Sequence, residues 1–109
     1  MCPALTPVGG LDLRHAVLVV LDRRFGLPRT VEQILEDLAD AGLRPDADRP
    51  GKALADAVRW EIRRGRIERA GWGVYRLGRV PDSTMWRARR RMRAAQETSV
   101  ALRRVDHIG

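Results

Sequence analysis

The sequence predicts an α+β, mainly α fold: three helices, a β-hairpin and an additional C-terminal basic helix. Three observations carry this. One wholly apolar stretch and two amphipathic ones precede residue 65. Two short alternating runs then flank a glycine-rich tip at residues 71–73. After residue 81, arginines crowd around a narrow apolar seam. At 109 residues the chain suits one domain, and 44% hydrophobic content against 32% charged is enough for a small core, not for a disordered chain. The expected organisation is a flexible lead-in over 1–10, a folded domain over 11–80, and a basic helix with tail over 81–109.

Pro3, Pro7, Gly9 and Gly10 mark the lead-in. Asp12 is the expected N-cap of helix one, which runs to about Phe25 before Gly26 and Pro28 stop it. Its interior, Ala16–Leu21, is apolar on nearly all sides; Val17, Val19 and Val20 lean towards strand, whereas the length of the segment favours helix. Helix two begins at Thr30, which has capping-box spacing to Gln33. Val31, Ile34, Leu35 and Leu38 follow the helical period, and Gly42 ends the helix. Its outer face is expected to carry Glu32, Glu36, Asp37 and Asp40, which would repel phosphate. Leu43–Arg49 reads as a polar loop.

Pro50 suits the first turn of helix three, which continues to Arg64 and closes at Gly65. Leu54, Val58 and Ile62 share one side with Ala55 and Ala57. Opposite them, Lys52, Asp56, Arg59 and Arg63 form a mostly basic stripe, with Trp60 on its border. Residues 66–70 and 74–78, separated by Gly71-Trp72-Gly73, form the hairpin, with Ile67, Tyr75 and Leu77 facing the core. Helix four is expected over Ser83–Gln96. Met85, Ala88, Met92 and Ala95 make its seam, and Val100, Leu102 and Val105 could extend it.

Charge is unevenly placed. Twenty arginines and Lys52 face fourteen acidic residues, for a net +7. Residues 1–50 hold six basic and eight acidic side chains; residues 51–109 hold fifteen and six. A polyanionic partner for the second half is the first expectation, with a merely solvated basic surface as the alternative. Cys2 is the only cysteine, which excludes a disulfide framework and a cysteine zinc site. No apolar run is long enough to span a bilayer, and no basic leader precedes Ala16–Leu21. A reduced, cytoplasmic and nucleoid-associated setting without membrane attachment is therefore expected. His15 and His107 lack a ligating constellation, and the glycines at 71, 73 and 78 match no phosphate loop. Neither an enzyme, a metal site nor a cofactor is expected.

The stretch Arg64-Gly65-Arg66-Ile67-Glu68-Arg69, followed by Gly71-Trp72-Gly73-Val74-Tyr75-Arg76-Leu77, ends a helix and supplies two strands. With three preceding helices, it resembles the winged helix-turn-helix superfamily, and HARE-HTH-type domains most of all. Shared features are the long apolar first helix, the proline and Thr30 before helix two, the extended loop to helix three, and the G-x-G-x-Y-x-L ending. The resemblance covers residues 12–78. One departure is the Leu43–Arg49 connection, longer than the turn of about 3–4 residues in a compact helix-turn-helix.

The resemblance implies a bacterial-type winged-helix protein that binds double-stranded DNA, as a transcription regulator or chromosome-associated factor. It places Lys52, Arg59 and Arg63 on the recognition helix, and Arg69, Trp72 and Arg76 on the wing, with Arg66 beside them. Physical chemistry agrees in kind: a helix fits the major groove, arginine forks onto guanine, and a basic wing follows phosphates. Trp72 either meets a partner at the tip or folds back onto Trp60 or Phe25. The cluster Arg87–Arg93, including Arg87 and Arg90, has three readings: further phosphate contact, solvent around a core-docking seam, or the surround of a homodimer or docking seam built on Met85, Trp86 and Met92. The competing function is a protein-interaction module, motivated by the acidic helix-two face and by Trp60, Trp72 and Trp86. RNA binding is permitted by charge, but the chain lacks an aromatic platform.

Overall fold

The computed structural model describes residues 5–108, with side chains described to residue 98. Cys2 and the start of the expected lead-in fall outside that range, as does the side chain of His107. The described residues fold as an α+β, mainly helical domain of four helices and two small sheets. In order these are β1 (Thr6–Val8), α1 (Gly10–Asp22), β2 (Arg29–Thr30), α2 (Val31–Asp40), β3 (Leu43–Pro45), α3 (Pro50–Arg63), β4 (Ile67–Gly71), β5 (Val74–Leu77) and α4 (Asp82–Ile108).

The apolar segment is a helix because α2, α3 and α4 all pack against it, so every side of α1 from Leu13 to Leu21 finds apolar neighbours except at Arg14. It starts earlier than expected: Gly9 is its N-cap and makes no side-chain cap bond. Asp12 instead lies in the first turn, where a carboxylate favours the helix dipole. The helix also stops short, at Asp22, because Phe25 turns left-handed (φ 55°) and Gly26 follows at φ 79°. A left-handed phenylalanine costs on the order of 1 kcal/mol, and its ring stands in solvent.

α2 is built as its sequence signals. The Gln33 N–H donates to Thr30 Oγ1 at 3.2 Å, and the Thr30 N–H donates to Gln33 Oε1 at 2.9 Å. Gly42 (φ 84°) then ends it. The outer face differs from expectation at Asp37. That residue is buried, and accepts from Arg29 Nε and Nη2 at 3.0 and 2.9 Å and from Arg24. Asp37 lies i+3 from Ile34, so its position faces inward with the apolar stripe; the carboxylate tolerates this because two guanidiniums meet it.

Two further corrections concern segments expected to be irregular. Within the lead-in, Thr6–Val8 is a strand, and within the polar loop Leu43–Pro45 is another; the two pair in parallel, Thr6 with Leu43 and Val8 with Pro45. Thr6 N–H donates to Gly42 O and Asp46 N–H to Val8 O, each at 2.8 Å. Thr6, Val8, Gly42 and Asp46 therefore turn their backbone groups towards the partner strand, while Pro7 and Pro45 occupy the alternate positions. Leu43 is fully buried, which draws the start of the loop into the core.

α3 places Leu54, Ala57, Val58 and Glu61 inward. β4 and β5 form the expected antiparallel hairpin, with Ile67 opposite Leu77 and Arg69 opposite Tyr75, and a register shift before Gly71–Val74. β2 adds to β5, giving the order β2-β5-β4. The base of the hairpin closes where Gly78 N–H donates to Arg66 O at 2.8 Å. A Cβ on Gly78 would lie 2.6 Å from Gly65 O, so only glycine fits there.

α4 is longer than the expected Ser83–Gln96, and its seam is used within the chain. Met85, Ala88 and Met92 are buried against α1 in the same apolar cluster as the other helices. The division at residue 80 is thus no boundary between cores. Met85 and Met92 are unavailable as a dimer or docking seam, because α1 already covers them. Arg91 donates to Asp12 at 3.0 Å and Arg89 to Asp22 at 2.9 Å, bracing opposite ends of α1.

Candidate nucleic-acid interface

Helical periodicity decides which basic residues of α3 reach solvent. With Leu54, Ala57, Val58 and Glu61 turned inward, Lys52, Asp56, Arg59 and Arg63 fall on the outer face, and all four are exposed. Among the described residues no carboxylate pairs with Lys52 or Arg63, while Arg59 lies 3.9 Å from Asp56 in an exposed contact. Such a pair at the surface is worth at most about 1 kcal/mol, so it leaves the guanidinium free to exchange partners. The stripe expected from sequence is thus present and solvent-facing.

The hairpin carries the other expected residues unequally. Arg69 is exposed on β4, and Arg76 on β5 donates to Glu68 across the strands at 3.2 Å. Trp72 stands at the turn with its whole surface in water, 102% exposed; it does not fold back onto Trp60 or Phe25. Gly73 (φ 64°) makes that tight turn affordable.

Arg66 must be withdrawn from the interface. Its side chain is 13% exposed and pairs with Glu61, which is fully buried: Nε lies 2.6 Å from Oε2, and Nη2 donates to Oε1 at 3.3 Å. The close Nε–Oε2 approach is not aligned as a hydrogen bond. A buried carboxylate needs this cation, so Arg66 neutralises the interior and cannot serve a phosphate at the same time. The signal was present in sequence, since Glu61 continues the inward spacing of Leu54 and Val58.

On α4, Arg87 and Arg90 are exposed. Arg90 lies over the ring of the exposed Trp86, 5.4 Å from its centroid, which gives that indole a cover within its own helix. Arg87 and Arg66 meet Arg91 of the same α4 cluster, Arg64, and Arg14, which sequence reasoning did not single out, around a cleft between α1, the end of α3 and α4. Trp60 is half-exposed, with Arg14 and Arg64 at 5.0 and 5.4 Å from its ring centroid. A second, more apolar groove of about 410 Å³ lies beside Trp60, walled by Leu13, Ala53 and Ala57.

His15 is buried at the edge of the arginine cleft. Burial lowers its pKa below the ordinary 6.5, and Arg91, Arg66 and Arg14 lower it further, against a weaker pull from Asp12. The imidazole is therefore neutral at neutral pH. Among the described residues, no group of three or more His, Cys, Asp or Glu is placed to hold a metal, and no helix is long and apolar enough to cross a membrane. Comparison of the chain with protein-family models, with curated proteins and with solved structures finds no match.

Proposed function

We infer that the chain is a winged-helix protein that binds duplex DNA, acting as a cytoplasmic, nucleoid-associated transcription regulator or chromosome-associated factor. The observation that carries this reading is the outer face of α3, where Lys52, Arg59 and Arg63 stand exposed, together with the exposed Trp72 at the tip of the hairpin that follows α3. In this reading α3 enters the major groove, and the β4–β5 hairpin is the wing, with Arg69 and Arg76 on phosphates and Trp72 at a minor groove. Support comes from the β2-β5-β4 order, in which the hairpin joins a strand placed just before α2. The long α2–α3 connection fits as well, because β3 ties its first three residues to β1. Arg90 extends the phosphate contact along α4.

Fluorescence anisotropy on a labelled random duplex at low and at physiological salt tests the proposal. Tight binding that falls steeply with salt is expected, because arginine–phosphate contacts release counterions. The Arg59→Ala/Arg63→Ala double variant should weaken binding roughly tenfold or more for each lost contact to a charged group. Unchanged affinity in the folded double variant would remove α3 from the interface.

A protein-interaction module is the second reading, favoured by Trp86 on α4 and Phe25 after α1, both exposed and neither part of α3. Recovery of a stoichiometric protein after nuclease treatment, together with no duplex binding at low salt, would put it first.

A further inference from the structure

Among the described residues, the arginine cleft is the one place where charge, enclosure and an unsatisfied buried group coincide. It measures about 250 Å³ and is formed by three parts of the chain: α1 gives Arg14 and His15, the connection between α3 and β4 gives Arg64 and Arg66, and α4 gives Arg87 and Arg91. Two of the five guanidiniums are already matched, Arg66 by Glu61 and Arg91 by Asp12. Among the described residues no carboxylate pairs with Arg14, Arg64 or Arg87. Trp60 holds the first two by their faces, which fixes their direction without neutralising their charge. The Nδ1 of His15, 6% exposed as a residue, has no hydrogen-bond partner. Arg14 is partly buried while Arg64 and Arg87 stand exposed at the rim of the cleft, so the wall carries positive charge that an anion can offset.

We propose that this cleft binds the head group of a small phosphomonoester whose apolar body continues past Arg14 into the groove beside Trp60. The size of the cleft sets the first half of that statement. At about 250 Å³ it lies below the roughly 300–1,000 Å³ of sites that enclose a whole drug-sized ligand, so it takes a head group. Three unmatched guanidiniums select a dianion over a single carboxylate, and their forked donors suit phosphate oxygens. The groove sets the second half: it is lined mainly by apolar side chains, holds about 410 Å³ and shares the Arg14 side chain with the cleft. A phosphodiester within a duplex is flanked on both sides by its own backbone and cannot enter a recess closed by three elements. A free monoester and the 5′-phosphate of a nucleic-acid end share the necessary chemistry, and the geometry of cleft plus groove assigns the site to the free ligand.

His15 supplies a reporter inside the cleft. Around it stand Asp12 and Arg14 on its own helix, Arg64 and Arg66 in the connection between α3 and β4, and Arg87 and Arg91 on α4. An added dianion offsets the arginines that hold its proton off, so binding raises its pKa and takes up protons.

The test is an NMR pH titration of the His15 imidazole in the full chain, assigned with His15→Gln, with and without phenyl phosphate at constant ionic strength. Inorganic phosphate, sodium chloride and a short duplex with either a 5′-phosphate or a 5′-hydroxyl serve as parallel arms. Saturable phenyl phosphate binding is expected, tighter than inorganic phosphate, with an upward shift of the His15 pKa that chloride does not reproduce. Arg87→Ala, at an exposed position that leaves the core intact, should weaken it roughly tenfold or more. Arg59→Ala/Arg63→Ala should leave it unchanged, which keeps this result separate from duplex binding. The proposal falls if phenyl phosphate does not bind, if it binds no more tightly than inorganic phosphate, or if Arg87→Ala has no effect. It also falls if only the 5′-phosphorylated duplex shifts His15.

Discussion

The corner between α1 and α2 and the outer face of α3 are both rich in arginine, and they use it in opposite ways. At the corner, Arg24 and Arg29 converge on the buried Asp37, so two cations and one anion hold the α1–α2 connection against the body of α2. On α3, Lys52, Arg59 and Arg63 stand in solvent, and Asp56 is the one acidic side chain in the same stripe. The difference lies in the carboxylate, not in the arginine. Where an acid is turned inward by helical spacing, neighbouring arginines must follow it; where the inward positions are apolar, arginines stay outside and remain available. Arg66 makes the point within a single stretch of chain. It sits three residues beyond Arg63, yet Glu61 draws it inside.

Removing Arg66 should have the largest effect on stability. Arg66→Ala leaves Glu61 as an unmatched buried charge and should cost about 3–5 kcal/mol, read as a lower midpoint in urea denaturation. Replacing both partners together with apolar residues of similar volume should recover most of that loss. Next in size, Thr30→Ala removes the capping box at the corner and should cost about 1 kcal/mol by the same measurement.

A third expectation concerns pH. Because the folded-state pKa of His15 lies below its unfolded value of 6.5, the unfolded chain binds more protons as pH falls through and below 6.5. Stability from this group is thus complete above that value and is lost on the acid side. Thermal melts of the wild type and of His15→Gln between pH 5 and 8 should show a shallower acid slope in the variant. The smallest change in stability is expected for Arg59→Ala/Arg63→Ala, within about 0.5 kcal/mol, since neither residue has a buried partner. A loss as large as that of Arg66→Ala would abolish the distinction between the two populations.

Local signals were legible in the sequence. Thr30 with Gln33, Gly42 and the Pro50–Gly65 bracket each act within a few residues, and each marks a helix end close to its observed position. The hairpin was legible for the same reason, since its strands meet across a tight turn. β1, β2 and β3 were not, because two or three residues carry no period and their pairing depends on partners far along the chain. The outer stripe of α3 follows from spacing alone, and so do the inward positions of Asp37 and Glu61, whereas the arginines that reach them, Arg24, Arg29 and Arg66, come into view only with the fold. The arginine cleft lay beyond reading, for it is assembled from residues 14–15, 64–66 and 87–91, which only the packing of α4 on α1 brings together.

The small β1–β3 sheet also limits how copies of the protein can join. An unpaired strand edge is a template on which another chain can add, and from there assembly can run on into fibres. Thr6 and Val8 spend their backbone groups on β3, so the groups left pointing away from the sheet on β1 are those of Pro7, which has no N–H to offer. Pro45 leaves β3 with the same gap at its own alternate position. Sheet growth on the β1 side therefore lacks a donor, and Pro7→Val would restore one there and open a route to aggregation that the native sequence closes.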